Sequence, residues 1–234
     1  MDKYEVVRRI EKFAPLDSQE KWDCSGWLVE TKNKIINKIM LCLTVTEDIL
    51  YQAKKENCDM IISHHPLFFV PFSFVGNIDI YCSHTNLDIA DGGTTDVLIN
   101  ELNFPKNVIK TGKEGSFVRY VEFETTICDF IKNLQNISPN MRYTNPKNIS
   151  KLTKIGFCAG SGSEFIIEAY NNGADAFVTG DLKFHTAIES PIAVFDIGHF
   201  ESEIMVLKVF ENLINNDAQV IYALEKSPFT TDNL

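Results

Sequence analysis

Apolar positions along the chain change their period several times, and the changes mark out its elements. Val6, Val7, Ile10 and Phe13 fall at helical spacing, and Pro15 stops the helix they predict over 3–13. The stretch Trp22-Asp23-Cys24-Ser25-Gly26 reads as a turn, with Gly26 permitting a tight bend before a short strand at Trp27-Leu28-Val29. Lys38 to Val45 is almost continuously apolar, the pattern of a strand buried on both faces of a parallel sheet. Thr46 can cap the next helix, with Glu47 and Asp48 at its positive end and Lys54-Lys55 near its negative end. A second apolar run, Asp59 to Ser63, stops at His64-His65-Pro66, and a third, Ile78 to Ser83, stops at His84-Thr85-Asn86-Leu87-Asp88. Strand, helix and strand in this order predict a right-handed crossover whose polar residues emerge at the carboxyl ends of strands, where open α/β sheets place ligands. Phe68 to Val75, interrupted by Pro71, has no assignable period and reads as a lid or an oligomer contact.

The second half repeats the logic. Thr94 to Leu102 is helical in pattern, and after Phe104-Pro105 the composition shifts to a Lys- and Gly-containing linker up to Ser116. The expected domains are therefore 1–108 with 199–234, and 109–198. A strand over 117–123 precedes a helix over 125–135 carrying Ile127, Phe130, Ile131 and Leu134. Leu152 to Cys158 leads as a strand into Gly160-Ser161-Gly162, which fits either a tight turn or backbone N–H groups turned toward an anion. Ile192 to Asp196 forms another strand, Ile204, Leu207, Phe210 and Ile214 a helix, and Gln219 to Leu224 a closing strand. An internal echo links the halves: Asp59-Met60-Ile61-Ile62-Ser63 and Asp175-Ala176-Phe177-Val178-Thr179 each follow a strand and a helix. The expected fold is α/β, with two related α/β domains arising by internal duplication and facing one another.

Charge and cysteine usage narrow the class. A formal net charge of −10 over 234 residues argues against direct nucleic-acid binding, which Lys and Arg largely supply. No apolar run is long enough to span a membrane, and the amino-terminal residues lack the order of a signal peptide, so the expected compartment is the cytoplasm. The six cysteines include no Cys-x-x-Cys pair, and Cys42, Cys58, Cys82 and Cys158 lie in or beside apolar runs as reduced core residues.

The histidines carry the chemistry. All five, His64, His65, His84, His185 and His199, stand close behind predicted strands. Any one could be a hydrogen-bonded core or surface histidine; the set points to metal. His199 and Glu203 are four residues apart at a helix start and can chelate together, and His84 with Asp88 and Asp181 with His185 repeat that spacing. Each pair also fits a simple ion pair, and Gly92-Gly93 favours a loop around His84 and Asp88. Imidazole and carboxylate without thiolate suit Zn, Fe, Mn, Co or Ni. Two such ions would lower the pKa of a bridging water and clamp a reacting oxygen, which describes a hydrolytic centre.

Ser63-His64-His65-Pro66, His84-Thr85-Asn86-Leu87-Asp88, Thr179-Gly180-Asp181 with His185, and Gly198-His199-Phe200-Glu201-Ser202-Glu203 together resemble the motifs of the GTP cyclohydrolase 1 type 2 homologues, also called Nif-three-like proteins. Trp22-Asp23 and Gly160-Ser161-Gly162 are similar too. The resemblance implies a dinuclear metal site between two related α/β domains and a homohexamer built as a trimer of dimers. It implies two divalent metal ions on His64, His65, Asp88, His199 and Glu203, with His84 at the edge as a proton shuttle or as a group supporting the ligands from behind. Cys24 departs from the family, which usually has Asn there, and the chain lacks the domain that longer members insert between the halves. The function expected is a metal-dependent hydrolase acting on a small nucleotide-like or phosphorylated substrate, with His84 or His185 moving protons. The alternative is a non-enzymatic metal-binding scaffold, a metal-trafficking protein or a regulatory interaction protein.

Overall fold

A computed structural model describes residues 1–76, 78–102, 104–105, 109–112, 115–215 and 217–229. Contacts divide the chain into two compact units, Met1–Gly93 with Val206–Lys226, and Thr94–Met205 with the segment from Ser227.

The first unit opens with α1 (Lys3–Phe13), capped by the Asp2 side chain, which accepts from the Tyr4 N–H. There follow β1 (Gly26–Val29), β2 (Lys38–Cys42), α2 (Glu47–Lys55), β3 (Met60–Ser63), β4 (Asp79–Cys82) and the short helix α3 (Thr85–Ile89). Thr46 caps α2 by accepting from the Ile49 N–H, as its sequence position predicts. Around His84 and Asp88 the chain is helical instead of the loop that Gly92-Gly93 suggested; the glycines follow the helix and form the turn after it. Phe68 to Val75 contains only a single 3-10 turn at Phe72–Phe74.

The second unit contains α4 (Thr94–Glu101), β5 (Ile109–Thr111), β6 (Arg119–Thr126), α5 (Ile127–Gln135), β7 (Arg142–Thr144), β8 (Lys151–Phe157), α6 (Ile166–Asn171), β9 (Ala176–Thr179), α7 (Phe184–Glu189), β10 (Ala193–Asp196) and α8 (His199–Glu203). The chain then returns to the first unit with α9 (Leu207–Ile214) and β11 (Gln219–Tyr222). These borders differ from the expected 1–108 with 199–234 and 109–198. Leu98, Ile99 and Leu102 pack into one core with Phe130, Leu134 and Phe157, so α4 goes with the second unit. The helix bearing His199 and Glu203 does the same. Hydrophobic burial overrode the composition shift after Pro105.

The first sheet has the order β1-β4-β3-β2-β11, parallel except for β1. The second has the order β5-β6-β8-β9-β10-β7, with β8, β9 and β10 parallel at its centre. Alternation along β9 splits its side chains between two cores: Ala176 and Val178 join the α4–α5 side, and Phe177 joins Ile166 and Ala169 of α6. The sequence echo has a physical counterpart in each sheet. Asp59 Oδ2 accepts the N–H groups of Asn37 and Lys38 at 2.7 and 3.1 Å, and Asp175 Oδ2 accepts those of Thr153 and Lys154 at 2.7 and 3.0 Å. Each aspartate thus ties the residue before one parallel strand to its neighbour where their pairing begins. No helix among the described residues is long and apolar enough to cross a membrane.

Candidate metal centre

Chemistry-bearing residues follow the carboxyl ends of parallel strands in both units, as the α/β arrangement dictates. In the first unit, β3 ends at Ser63 and delivers His64 and His65, while β4 ends at Cys82 and delivers His84. The three rings lie 5.0 to 5.7 Å apart between centroids, and one donor atom from each lies within 4.8 Å of the others. His64 Nε2 is also 3.4 Å from Asp88 Oδ1 on α3.

The opposite edge of each ring explains the orientation. His64 is fully buried and its Nδ1 faces the Ser83 carbonyl at 3.0 Å. A carbonyl only accepts, so Nδ1 carries a proton, and the lone pair of the neutral ring is the one at Nε2. His84 Nδ1 faces Asp23 Oδ1 at 3.0 Å, which assigns the same tautomer. His65 Nδ1 lies 2.7 Å from Thr44 Oγ1, a hydroxyl that can donate or accept. Burial above all, with the neighbouring His64 imidazole, pulls the His84 imidazole below its ordinary 6.5 despite Asp88 and Asp23, which favours the neutral, lone-pair form.

In the second unit, β9 ends at Thr179 and β10 at Asp196; the loop beyond β9 carries Asp181, and the chain beyond β10 enters α8 at His199. His199 Nε2 is 3.0 Å from Glu203 Oε2, one turn along α8, and His199 Nδ1 is 2.7 Å from Asp181 Oδ2. Burial works against the imidazolium here, but Glu203 and Asp181 outweigh it and push the pKa up to about 9. Glu203 lies against the bend at Gly160 (φ +66°), where a Cβ would overlap Glu203 Oε1. The Gly160 N–H donates to Ser202 Oγ at 2.9 Å and its carbonyl accepts from the Gly180 N–H at 2.7 Å. A cavity of about 350 Å³ opens beside this pair, lined among others by Asn140, Arg142, Asp181, His199 and Phe229.

The fold thus gathers His64, His65, His84 and Asp88 in one unit, and His199 with Glu203 in the other. Asp181 partners His199 and not His185, because Asp181 adopts φ +54° in the loop before α7 and the helical i, i+4 register never forms. His185 is exposed, its ring packs on Phe184, and among the described residues it joins no group able to share an ion. Sequence spacing missed Asp23, Thr44 and Asp181 as partners of imidazoles; Trp22-Asp23 among the recurring motifs was the signal for the first. The donor set fits a divalent transition metal: imidazoles and carboxylates without thiolate, with three of the four rings turning Nε2 outward because an acceptor-only oxygen holds Nδ1; His199, held protonated by Glu203 and Asp181, releases its Nε2 proton when an ion binds there.

Fold and site together define a two-unit α/β protein with clustered candidate metal ligands. The chain belongs to the Duf34/NIF3 (NGG1p interacting factor 3) family, which it matches over residues 1–232. Among its relatives, the GTP cyclohydrolase 1 type 2 homolog of Clostridium perfringens is 32% identical, covering 96% of this chain and 97% of that one. The protein of the same name from Clostridium acetobutylicum is 34% identical, covering 83% and 82%. NGG1-interacting factor 3 of Saccharomyces cerevisiae is 25% identical, covering 79% of each. Among solved structures, a hypothetical protein of Staphylococcus aureus superposes with a TM-score of 0.82 at 21% identity, covering 99% of both chains. Reduced HcgD from Methanocaldococcus jannaschii gives 0.80 at 25% identity, covering 95% and 97%.

Proposed function

We propose that this protein is a metal-dependent hydrolase acting on a small nucleotide-like or phosphorylated substrate. In this reading His64, His65 and Asp88 of the first unit and His199 and Glu203 of the second hold two divalent ions. The observation that carries it is the orientation of the rings: the Ser83 carbonyl behind His64, Asp23 behind His84 and Asp181 behind His199 each hold Nδ1 and turn Nε2 outward. When bound, such ions supply Lewis acidity to a reacting carbonyl or phosphoryl oxygen and make water a nucleophile near neutral pH. The chain does the rest. His84, neutral and backed by Asp23, accepts and returns a proton at Nε2. The cavity beside His199 is of a size for a small molecule, and Arg142 and Asn140 offer it hydrogen-bond donors. His185, exposed on α7, is the second proton-moving candidate, and the assembly proposed is a homohexamer built as a trimer of dimers.

Metal analysis of the purified protein beside His64→Ala and Glu203→Gln tests the site: content should fall in both variants, and equal content in all three overturns it. Turnover of nucleotides, phosphoesters and cyclic amides with Zn, Mn, Fe, Co or Ni tests the reaction. The name of the yeast relative favours a second reading, a metal-loaded interaction scaffold, and activity no higher than that of a variant combining His64→Ala with Glu203→Gln would select it. Light scattering tests the hexamer; a monomer at micromolar concentration refutes it.

A further inference from the structure

Beside the imidazole cluster of the first unit stand two aromatic rings that the hydrolytic reading does not use. Trp22 is 60% exposed and Phe68 is 68% exposed, although both flank buried or tethered chain. Their centroids are 6.2 Å apart at 36°, and the Trp22 indole meets the His84 ring edge-on at 5.9 Å. Large apolar rings left in water are costly unless something covers them.

Both rings are held in place. Asp23, next to Trp22, has a fully buried side chain whose carboxylate accepts from the N–H groups of Cys24 and Thr85 at 2.8 and 3.0 Å, from Ser25 and Thr85 hydroxyls, and from His84. Leu67, next to Phe68, receives a 3.8 Å contact from Cys24 Sγ on its carbonyl, tying the two segments together. The pair is therefore a pre-ordered platform at the edge of the cluster, and ordering aromatic rings in advance lowers the cost of binding. Exposed aromatic faces take planar rings by stacking, tolerantly of which ring it is.

We infer that Trp22 and Phe68 form a stacking platform for a planar heterocyclic ring of the substrate, holding it beside His84. This deepens the hydrolase reading and rests on it for the word substrate. Phe69 and Phe72, 81% and 92% exposed, lie farther along the same segment and are not assigned to the platform.

The chain has two tryptophans, so Trp27→Phe leaves Trp22 as the single reporter. Titration of that variant with AMP, GMP, CMP and ribose 5-phosphate is expected to give saturable quenching by the nucleotides, strongest with purines, and none by ribose 5-phosphate. Trp22→Ala in the native background should weaken purine nucleotide binding, followed by ligand-observed NMR, about ten- to a hundred-fold. The inference is overturned by absence of saturable quenching at millimolar nucleotide, by unchanged affinity in Trp22→Ala, or by a blue shift of Trp22 emission with protein concentration, which would mean that a second copy covers it. Quenching that persists in chelator-stripped protein lacking any metal affinity would uphold the platform while removing the hydrolase reading. Metal-dependent turnover of a ring-free phosphoester without quenching would do the reverse.

Discussion

Gly160→Ala offers a sharp test of the carboxylate–imidazole pair in the second unit. Gly160 adopts φ +66°, a conformation that costs an L-residue about 1–2 kcal/mol. The added Cβ would overlap Glu203 Oε1, stand 3.1 Å from Glu203 Cδ and approach His199 Nε2 to 3.5 Å. Gly160 itself is pinned by Ser202 Oγ and the Gly180 N–H, so the Glu203 side chain is what gives way and swings off His199. Gly173 supplies the control, because it has φ +79° with nothing within 4 Å of an added Cβ. Gly173→Ala therefore carries the backbone penalty alone. In chelator, Gly173→Ala should melt roughly 2–8 °C below the parent, the shift that about 1–2 kcal/mol produces in a chain of this size, and Gly160→Ala lower still, because it also parts Glu203 from His199. Metal at about 100 times its Kd stabilises a one-site protein by about 2.7 kcal/mol. That increment should appear in the parent and in Gly173→Ala and be largely lost in Gly160→Ala. Circular-dichroism melts with chelator, then with Zn²⁺, Mn²⁺ or Co²⁺, give the comparison. An equal metal-induced increment in the two glycine variants would refute the assignment of Glu203 as a ligand.

Asp23→Asn should cost about 1–3 kcal/mol, the penalty of an unsatisfied buried donor. Asp23 Oδ1 accepts the Cys24 N–H and Oδ2 the Thr85 N–H, so an amide turned either way sets its nitrogen against a backbone donor. Long-range ¹H–¹⁵N spectra should show the His84 proton leaving Nδ1, and an unchanged melt and tautomer would count against the pairing. Burial opposes ionisation of Asp175, but hydrogen bonds from Thr153 and Lys154 outweigh it and hold the carboxyl below its ordinary 3.8. A depressed carboxyl stabilises the fold above its unfolded value and stops doing so as pH falls through the folded one. The stability gap between the parent and Asp175→Asn should therefore be full above about pH 4 and close below it, and a gap that widens on acidification would contradict the sign.

The elements were legible where burial enforces a period. The strands at Lys38–Cys42, Met60–Ser63 and Ala193–Asp196 are buried along nearly their whole length, and such continuous apolar runs belong to parallel central strands. Arg142–Thr144 escaped notice because it is a three-residue edge strand with an exposed, polar sequence. The compact units part at other positions than the expected domains for a related reason: composition reports loops, whereas α4 is grouped by the core that Leu98 and Ile99 enter. At the site, the clustering of imidazoles was legible because histidine is rare and its positions behind strands stand out. Asp181 was paired with the wrong histidine because helical spacing assumes a helix, and its left-handed backbone precludes one.

The oxygens that orient the rings come from positions no local pattern connects. Ser83 lies 19 residues from His64, Asp23 lies 61 from His84, and Asp181 lies 18 from His199. Spacing supplies the ligand atoms; only the fold decides which nitrogen carries the proton. Substitution confined to the histidines would therefore overlook what orients them. Asp181→Asn leaves His199 and Glu203 in place and changes only the acceptor behind Nδ1, so its loss of metal affinity, about 10–100-fold, should come without loss of the fold. Calorimetric titration of Zn²⁺ into parent and variant measures it, and equal affinity would reduce Asp181 to an exposed surface partner.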